Sequence, residues 1–270
     1  MLALFAAMLP GGVIVKPVAN MYSTPTEDAS VASQAIYGTN ISVLEQRNGW
    51  ARIRTPDNYA GWTPASSLLL RAPYAAGEGA AEVVNLFAHI YREPDVTKHA
   101  PVVTVPFETR LEVLNRKDVR WIEVRLPDAR TGWIQSGDVS FAPRKLSIPE
   151  LIDFSKRFLG LPYTWGGTSS YGYDCSGLTQ MLYRQHGVAI PRDAAPQAAW
   201  SGFVPVERRD LEPGDLLFFG ASPEKITHTG MYVGENHFIN ATPYLRPVVQ
   251  ICDLRDPHWT RLLVACRRLK

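Results

Sequence analysis

The sequence predicts an α+β fold in which two small all-β barrels precede a mixed domain with its helices ahead of its sheet. Three observations predict it. Trp50-Ala51-Arg52-Ile53-Arg54-Thr55-Pro56-Asp57-Asn58-Tyr59-Ala60-Gly61-Trp62 returns 71 residues later as Trp121-Ile122-Glu123-Val124-Arg125-Leu126-Pro127-Asp128-Ala129-Arg130-Thr131-Gly132-Trp133. Ser147-Ile148-Pro149-Glu150 is a helix-start pattern, followed by Leu151, Ile152, Phe154, Phe158 and Leu159 at near-helical spacing. Strand-like apolar runs then follow from Leu216 to Phe219, Thr229 to Val233, His237 to Ile239 and Leu262 to Cys266.

The elements follow in chain order. Met1 to Met8 is apolar but too short to cross a bilayer and lacks a basic leading region, so residues 1–14 read as a trimmed secretion signal or as a segment packed on the first barrel. Short alternating strands broken by Pro-Asp and Gly-Trp define repeat units at 15–72 and 82–143, with Ile41-Ser42-Val43-Leu44 matched by Leu111-Glu112-Val113-Leu114. A single duplicated β domain is the alternative. Residues 73–81 read as a linker, and Phe141-Ala142-Pro143-Arg144-Lys145 as a shorter one. The last domain spans 147–270, and Gly160 ends its first helix.

Composition bounds the partners. Twenty-eight Lys and Arg against 26 Asp and Glu leave a formal charge of +2, so no electrostatic demand for nucleic acid exists. Basic pairs such as Arg208-Arg209 and Arg267-Arg268 read as solvated surface. No integral membrane span is expected, and composition leaves the oligomeric state open. The six histidines show no ligand cluster, and there is no HExxH or paired-cysteine spacing, so no metal or other cofactor is expected. Cys252 and Cys266 read as two buried thiols.

Chemistry concentrates at Tyr173-Asp174-Cys175-Ser176-Gly177. The run Leu178 to Tyr183 reads as a buried helix, which puts Cys175 at a loop-to-helix junction where unpaired N–H groups and the helix dipole favour a thiolate. Upstream, Tyr163-Thr164-Trp165-Gly166-Gly167 and Gly172 read as a flexible, aromatic-rich approach. Most free cysteines are inert buried hydrophobes. The second half of the constellation argues otherwise. His228 lies 53 residues downstream in a β-rich run, and Gly234-Glu235-Asn236 reads as a turn into the run that holds Asn240. A hairpin there sets Asn240 beside His228, with imidazole as base and the amide oxygen fixing its tautomer. His237 precedes Asn240 by three residues and faces the opposite side of the strand.

Residues from about 149 to 270 resemble the NlpC/P60 family, papain-like enzymes that cut peptidoglycan peptides. The resemblance runs through Pro162-Tyr163-x-Trp165-Gly166-Gly167, Asp174-Cys175-Ser176-Gly177, Pro191-Arg192, Gln197, Leu211-x-Pro213-Gly214-Asp215-Leu216-Leu217-Phe218-Phe219 and His228-x-Gly230-x-Tyr232. It implies a papain-like catalytic domain with Cys175 as nucleophile and His228 as base. Asn240 stands where many members carry a third histidine, and Ala194 stands where a serine often contributes. The repeat units resemble bacterial SH3-like domains.

The combination is similar to three-domain γ-D-glutamyl-L-diamino acid endopeptidases, and implies peptides such as L-Ala-D-Glu-diamino acid as substrate. It also implies Tyr163 lining the cleft, while Asp174 is a candidate for a substrate ammonium and Ser176 for the D-Glu carboxylate. Local alternatives for the last two are a backbone amide partner and a helix cap. Tyr59, whose repeat counterpart is Arg130, resembles an aromatic contributed to the cleft, with Glu27 and Asp28 as candidates for the L-Ala amine. Compartment stays open between cytoplasmic recycling and export to the envelope. A cell-wall-binding protein with lost or weak turnover is the alternative function.

Overall fold

The computed structural model describes residues 11–142 and 144–270, so the apolar stretch from Met1 to Met8 lies outside the described residues. The chain divides into two compact units, with the boundary after Pro143.

The first unit holds two seven-stranded antiparallel sheets. One contains β1 (Gly11–Ile14), β2 (Val18–Tyr22), β3 (Val31–Ile36), β4 (Asn40–Arg47), β5 (Trp50–Arg54), β6 (Ala60–Pro64) and β7 (Leu68–Leu70), in the order β3-β2-β6-β5-β4-β1-β7. The other contains β8 (Ala81–Val83), β9 (Phe87–Tyr91), β10 (Val103–Pro106), β11 (Arg110–Asn115), β12 (Trp121–Arg125), β13 (Thr131–Gln135) and β14 (Val139–Ser140), in the order β10-β9-β13-β12-β11-β8-β14. Adding seven to each label converts the first order into the second. The sequence repeat is therefore a topological repeat.

Its punctuation has physical causes. Asn58 and Ala129 occupy the same turn position with φ of 66° and 69°, which reverses the chain between β5 and β6 and between β12 and β13. A Cβ at Gly61 would lie 2.9 Å from Met21 Cβ, and one at Gly132 would lie 2.6 Å from Ile90 Cγ2. Both glycines admit a neighbouring strand's core side chain. In β5, Ala51 and Ile53 point inward while Arg52 and Arg54 face solvent, the period-two pattern of a half-buried strand.

Two sequence boundaries shift. Gly11–Ile14, grouped with a separate N-terminal segment, is a strand paired with both β4 and β7. Burial of Val13 and Ile14 at 0% exposure ties it to the first core. The interval read as a linker carries Tyr74, buried to 1% exposure. Asn40 brackets its backbone, accepting from Tyr74 N at 2.7 Å and donating to Tyr74 O at 2.8 Å. The Tyr74 hydroxyl donates to Arg125 O at 2.5 Å, and Tyr37 joins the core of the second sheet. An aromatic side chain turned a spacer into packing that fastens one repeat to the other.

In the second unit, Ser147 and Glu150 form the capping box of α1 (Ile148–Ser155). A 3₁₀ turn at Lys156–Phe158 follows, and Gly160 reverses the chain with φ of 85°. The short hairpin of β15 (Thr168–Ser169) and β16 (Gly172–Tyr173) leads into α2 (Cys175–Gln185), then α3 (Ala194–Ala198). A six-stranded antiparallel sheet comprises β17 (Phe203–Pro205), β18 (Leu216–Gly220), β19 (Ile226–Gly234), β20 (His237–Thr242), β21 (Val248–Asp253) and β22 (Leu263–Leu269). Its order is β17-β22-β18-β19-β20-β21, and α4 (Pro257–Leu262) lies between the last two strands in the chain. Leu262, read as the start of a strand, closes α4 instead. Leu178, Met181 and Leu182 of α2 are fully buried, and the helix packs across β19 and β20. All three cysteines are free; Cys266 is buried and Cys252 partly so. No helix among the described residues is long and apolar enough to cross a membrane.

Candidate active site

Cys175 is the first residue of α2, where the backbone N–H groups of the opening turn have no partner within the helix. Asp174 is the N-cap and accepts from Gly177 N at 2.7 Å. The approach expected to be flexible is instead tightly packed. A Cβ at Gly177 would collide with the Gly167 carbonyl, and one at Gly167 would collide with the Gly172 carbonyl. Glycine at 167 and 177 lets the strand-like lead press directly on the first turn of α2.

A buried ion pair supports that turn. Arg192 donates to Asp174 Oδ2 at 2.6 Å and to Oδ1 at 3.0 Å, and its Nη1 also donates to Ser176 Oγ at 3.0 Å. Asp174, Ser176 and Arg192 are all under 10% exposed. Asp174 is thus held by the helix cap and the guanidinium, and Ser176 lies within the same network. Gln197 braces the other side, donating to Ser176 O and Pro191 O and accepting from Thr179 Oγ1. Ala194 is buried in the first position of α3.

β19 brings the imidazole. α2 packs on β19, and the backbone N–H groups of Thr229, directly after His228, and of Ser176 lie close enough to the Cys175 sulfur to favour its charged form, so the thiol faces the strand that carries the histidine. β19 and β20 pair with Met231 opposite Ile239, so Asn240 sits diagonally from His228. His228 Nε2 lies 3.0 Å from Asn240 Oδ1. The Asn240 Nδ2 donates to Gln250 O at 3.3 Å and to Cys252 Sγ at 3.4 Å, which fixes the amide with its oxygen toward the ring. His228 therefore carries its proton on Nε2 and leaves Nδ1 as a lone pair. Trp259 stacks on the imidazole at 5.1 Å and 27°, and Phe219 packs at its edge.

The electrostatics define the resting pair. Burial, then the Asp174 charge, pushes the Cys175 thiol up to about 12, opposed by the N–H groups of Thr229 and Ser176. Burial draws His228 down to about 4 against the Asn240 hydrogen bond and the attraction of Asp174. Burial thus disfavours the thiolate that the helix start was expected to favour, and the imidazolium with it. Tyr163 is half-buried and close enough to feel Cys175 and Asp174; burial first, then those charges, raises its hydroxyl well above the usual phenol range.

The second unit thus brings Tyr163, Asp174, Cys175, Ser176, His228 and Asn240 together. The remaining three candidates lie on the first unit. Tyr59 sits in the β5–β6 turn, packed on the first core, with Thr55 N donating to its carbonyl; Glu27 and Asp28 are exposed between β2 and β3. The sequence alone marks no role at the site for Arg192, Gln197 or Trp259, and none for Cys252 beyond a buried thiol. The first two stood in the quoted pattern without a function attached, and Asp256-Pro257 is a helix-start signal that would have placed Trp259 on α4. Among the described residues, no group of three His, Cys, Asp or Glu side chains is arranged to hold a metal ion.

Comparison with known proteins agrees with this geometry. Residues 160–268 match the NlpC/P60 family model, and residues 21–68 match the bacterial dipeptidyl-peptidase Sh3 domain. The chain is 32% identical over 260 residues to the gamma-D-glutamyl-L-lysine dipeptidyl-peptidase of Bacillus cereus, covering 90% of this chain and 76% of that protein. The Bacillus subtilis protein of the same name is 28% identical over 251 residues, covering 89% of this chain and 82% of that one. A crystal structure of an NlpC/P60 family protein from Bacillus cereus superposes with a TM-score of 0.84 at 26% identity, covering 96% of this chain and 99% of that one. With a helix-borne cysteine, a strand-borne histidine and these matches in agreement, the chain belongs to the NlpC/P60 family of cysteine peptidases.

Proposed function

We propose that this chain is an endopeptidase that hydrolyses the γ-D-glutamyl-L-diamino acid bond of peptidoglycan stem peptides, using Cys175, His228 and Asn240. The observation that carries the reading is the Cys175 thiol against β19 with His228 fixed by Asn240. The names borne by the Bacillus relatives supply the bond.

His228 Nδ1 takes the thiol proton as sulfur attacks the γ-carbonyl carbon of D-Glu. The negative charge moves onto the carbonyl oxygen, where the Cys175 backbone N–H is a candidate donor. Collapse of the tetrahedral intermediate breaks the C–N bond, and the imidazolium gives its proton to the departing amine of the diamino acid. Water, deprotonated by His228, then attacks the thioester; the sulfur leaves and regains a proton. Trp259 covering the ring face stabilises the transient imidazolium.

Tyr163 is proposed to line the substrate cleft beside the sulfur, with Asp174 and Ser176 shaping its floor through Arg192. Tyr59, Glu27 and Asp28 are proposed to select released peptides with a free L-Ala amine, and the two sheets of the first unit to close as SH3-like barrels. The test is mass spectrometry of defined peptides. L-Ala-D-Glu-diamino acid peptide should be cut after D-Glu and its N-acetylated form spared. Equal cleavage of the two would remove the amine-selection role, and a cut at another bond would overturn the assignment.

A further inference from the structure

The Cys252 thiol has no role in the reaction as derived above, yet it lies directly behind the residue that orients the base. Cys252 stands on β21 two residues from Gln250, which pairs with Asn240 on β20. Side chains two apart on a strand share a face, so Gln250 and Cys252 flank the Asn240 amide together. The sulfur accepts from Asn240 Nδ2 at 3.4 Å and packs in the same apolar cluster as the Trp259 indole. Both neighbours touch His228, Asn240 at the ring edge through Nε2 and Trp259 on the ring face.

We propose that Cys252 is a positioning residue, whose sulfur ties Asn240 and Trp259 together and so fixes the tautomer and tilt of His228. The proposal rests on His228 being the base of the reaction described above. Asn240 has two amide hydrogens and two acceptors for them, Gln250 O and Cys252 Sγ. With both used, the flipped amide would set N–H against N–H at His228 and oxygen against oxygen at Gln250. Gln250 O contributes to that choice but gives nothing to Trp259. The sulfur touches both the amide that makes the edge contact and the cluster that holds the face contact. Sulfur is a weak acceptor, so its effect lies in geometry and not in large binding energy. Cys252 is partly buried and unpaired with either other cysteine, in keeping with a structural thiol.

The experiment uses full-length protein with Cys252→Val, which keeps a similar volume without an acceptor, Cys252→Ala, and Cys252→Ser, which keeps an acceptor. Histidine-labelled protein reports the His228 tautomer by long-range proton–nitrogen NMR without any substrate. Wild type and the serine variant should show one Nε2-protonated tautomer, and the valine variant a mixture. On the D-Glu-diamino acid peptide, kcat of the valine variant should fall about tenfold at unchanged KM, within the range of couplings inside one hydrogen-bond network. In an Asn240→Ala background, the same change should cost less than about twofold, because the sulfur acts through that amide. A valine variant with the wild-type tautomer and kcat overturns the proposal. So does an undiminished further loss in the Asn240→Ala background. Should the alanine variant lose its fold, the valine and serine pair carries the comparison at matched melting temperature. A correct tautomer pattern in a protein that cuts no such peptide would refute the substrate reading and leave the positioning role standing.

Discussion

At the residue scale, the His228–Asn240 contact governs the chemistry. Asn240→Ala removes the acceptor of Nε2–H and should lower kcat with little loss of melting temperature; Asn240→His restores a ring partner and should retain turnover. Equal kcat for wild type and Asn240→Ala would return Asn240 to a plain strand residue. Burial also sets a pH signature, since His228 is drawn from the ordinary 6.5 down to about 4. A base that stays neutral in mild acid should keep kcat/KM high at pH 5.5, with the acid limb falling below that point. The same shift enters stability. As pH falls, the unfolded chain takes the proton first, so this group's contribution is complete above about 6.5 and is lost progressively toward about 4. Denaturation midpoints measured at pH 7 and pH 4.5 should therefore fall, and replacing His228 with Gln should lessen the fall. These residues were legible because a nucleophile at a helix start and a hairpin with a known turn are local patterns. Cys252 and Trp259 were not, since β21 and α4 reach Asn240 only after the sheet has assembled.

Elements position that chemistry through the first turn of α2. Arg192→Ala leaves the Asp174 carboxylate buried without its cation, which should cost about 3–5 kcal/mol of stability. Arg192→Lys keeps charge but loses the two-pronged contact and should fall between the two in a urea titration. Stability equal to wild type for Arg192→Ala would mean that solvent replaces the pair. The partnership spans 18 residues and a turn into α3, so the sequence marked Arg192 as part of a pattern without showing what it holds. The glycines before Cys175 were misjudged for a related reason. Local composition reads Gly166-Gly167 as freedom, whereas the position of the Gly167 carbonyl over Gly177 makes them a close contact.

For the whole molecule, the repeat was readable because duplication preserved turn geometry and strand pairing together, down to paired left-handed residues at Asn58 and Ala129. What the repeat hid was the fastening between its halves. Tyr74 lies outside the repeated pattern, in a stretch whose glycines and alanines suggest slack. Tyr74→Ala should lower the stability of the first unit by about 3–5 kcal/mol, the range for deleting a large buried aromatic. Tyr74→Phe, which loses the hydroxyl's bond to Arg125 O and the one it accepts from Glu112 N, should cost about 1–2 kcal/mol. A melting curve unchanged by Tyr74→Ala would mean that the halves hold together without it.

Hydrolysis after D-Glu through a Cys175 thioester is the step on which the proposed function turns. The direct measurement is mass spectrometry of L-Ala-D-Glu-diamino acid peptide incubated with wild type and with Cys175→Ala, whose folding is checked by circular dichroism. The wild type should release L-Ala-D-Glu and free diamino acid peptide, and a folded Cys175→Ala protein should do so at a rate at least ~10²-fold lower. Hydrolysis by Cys175→Ala at the wild-type rate would contradict that step.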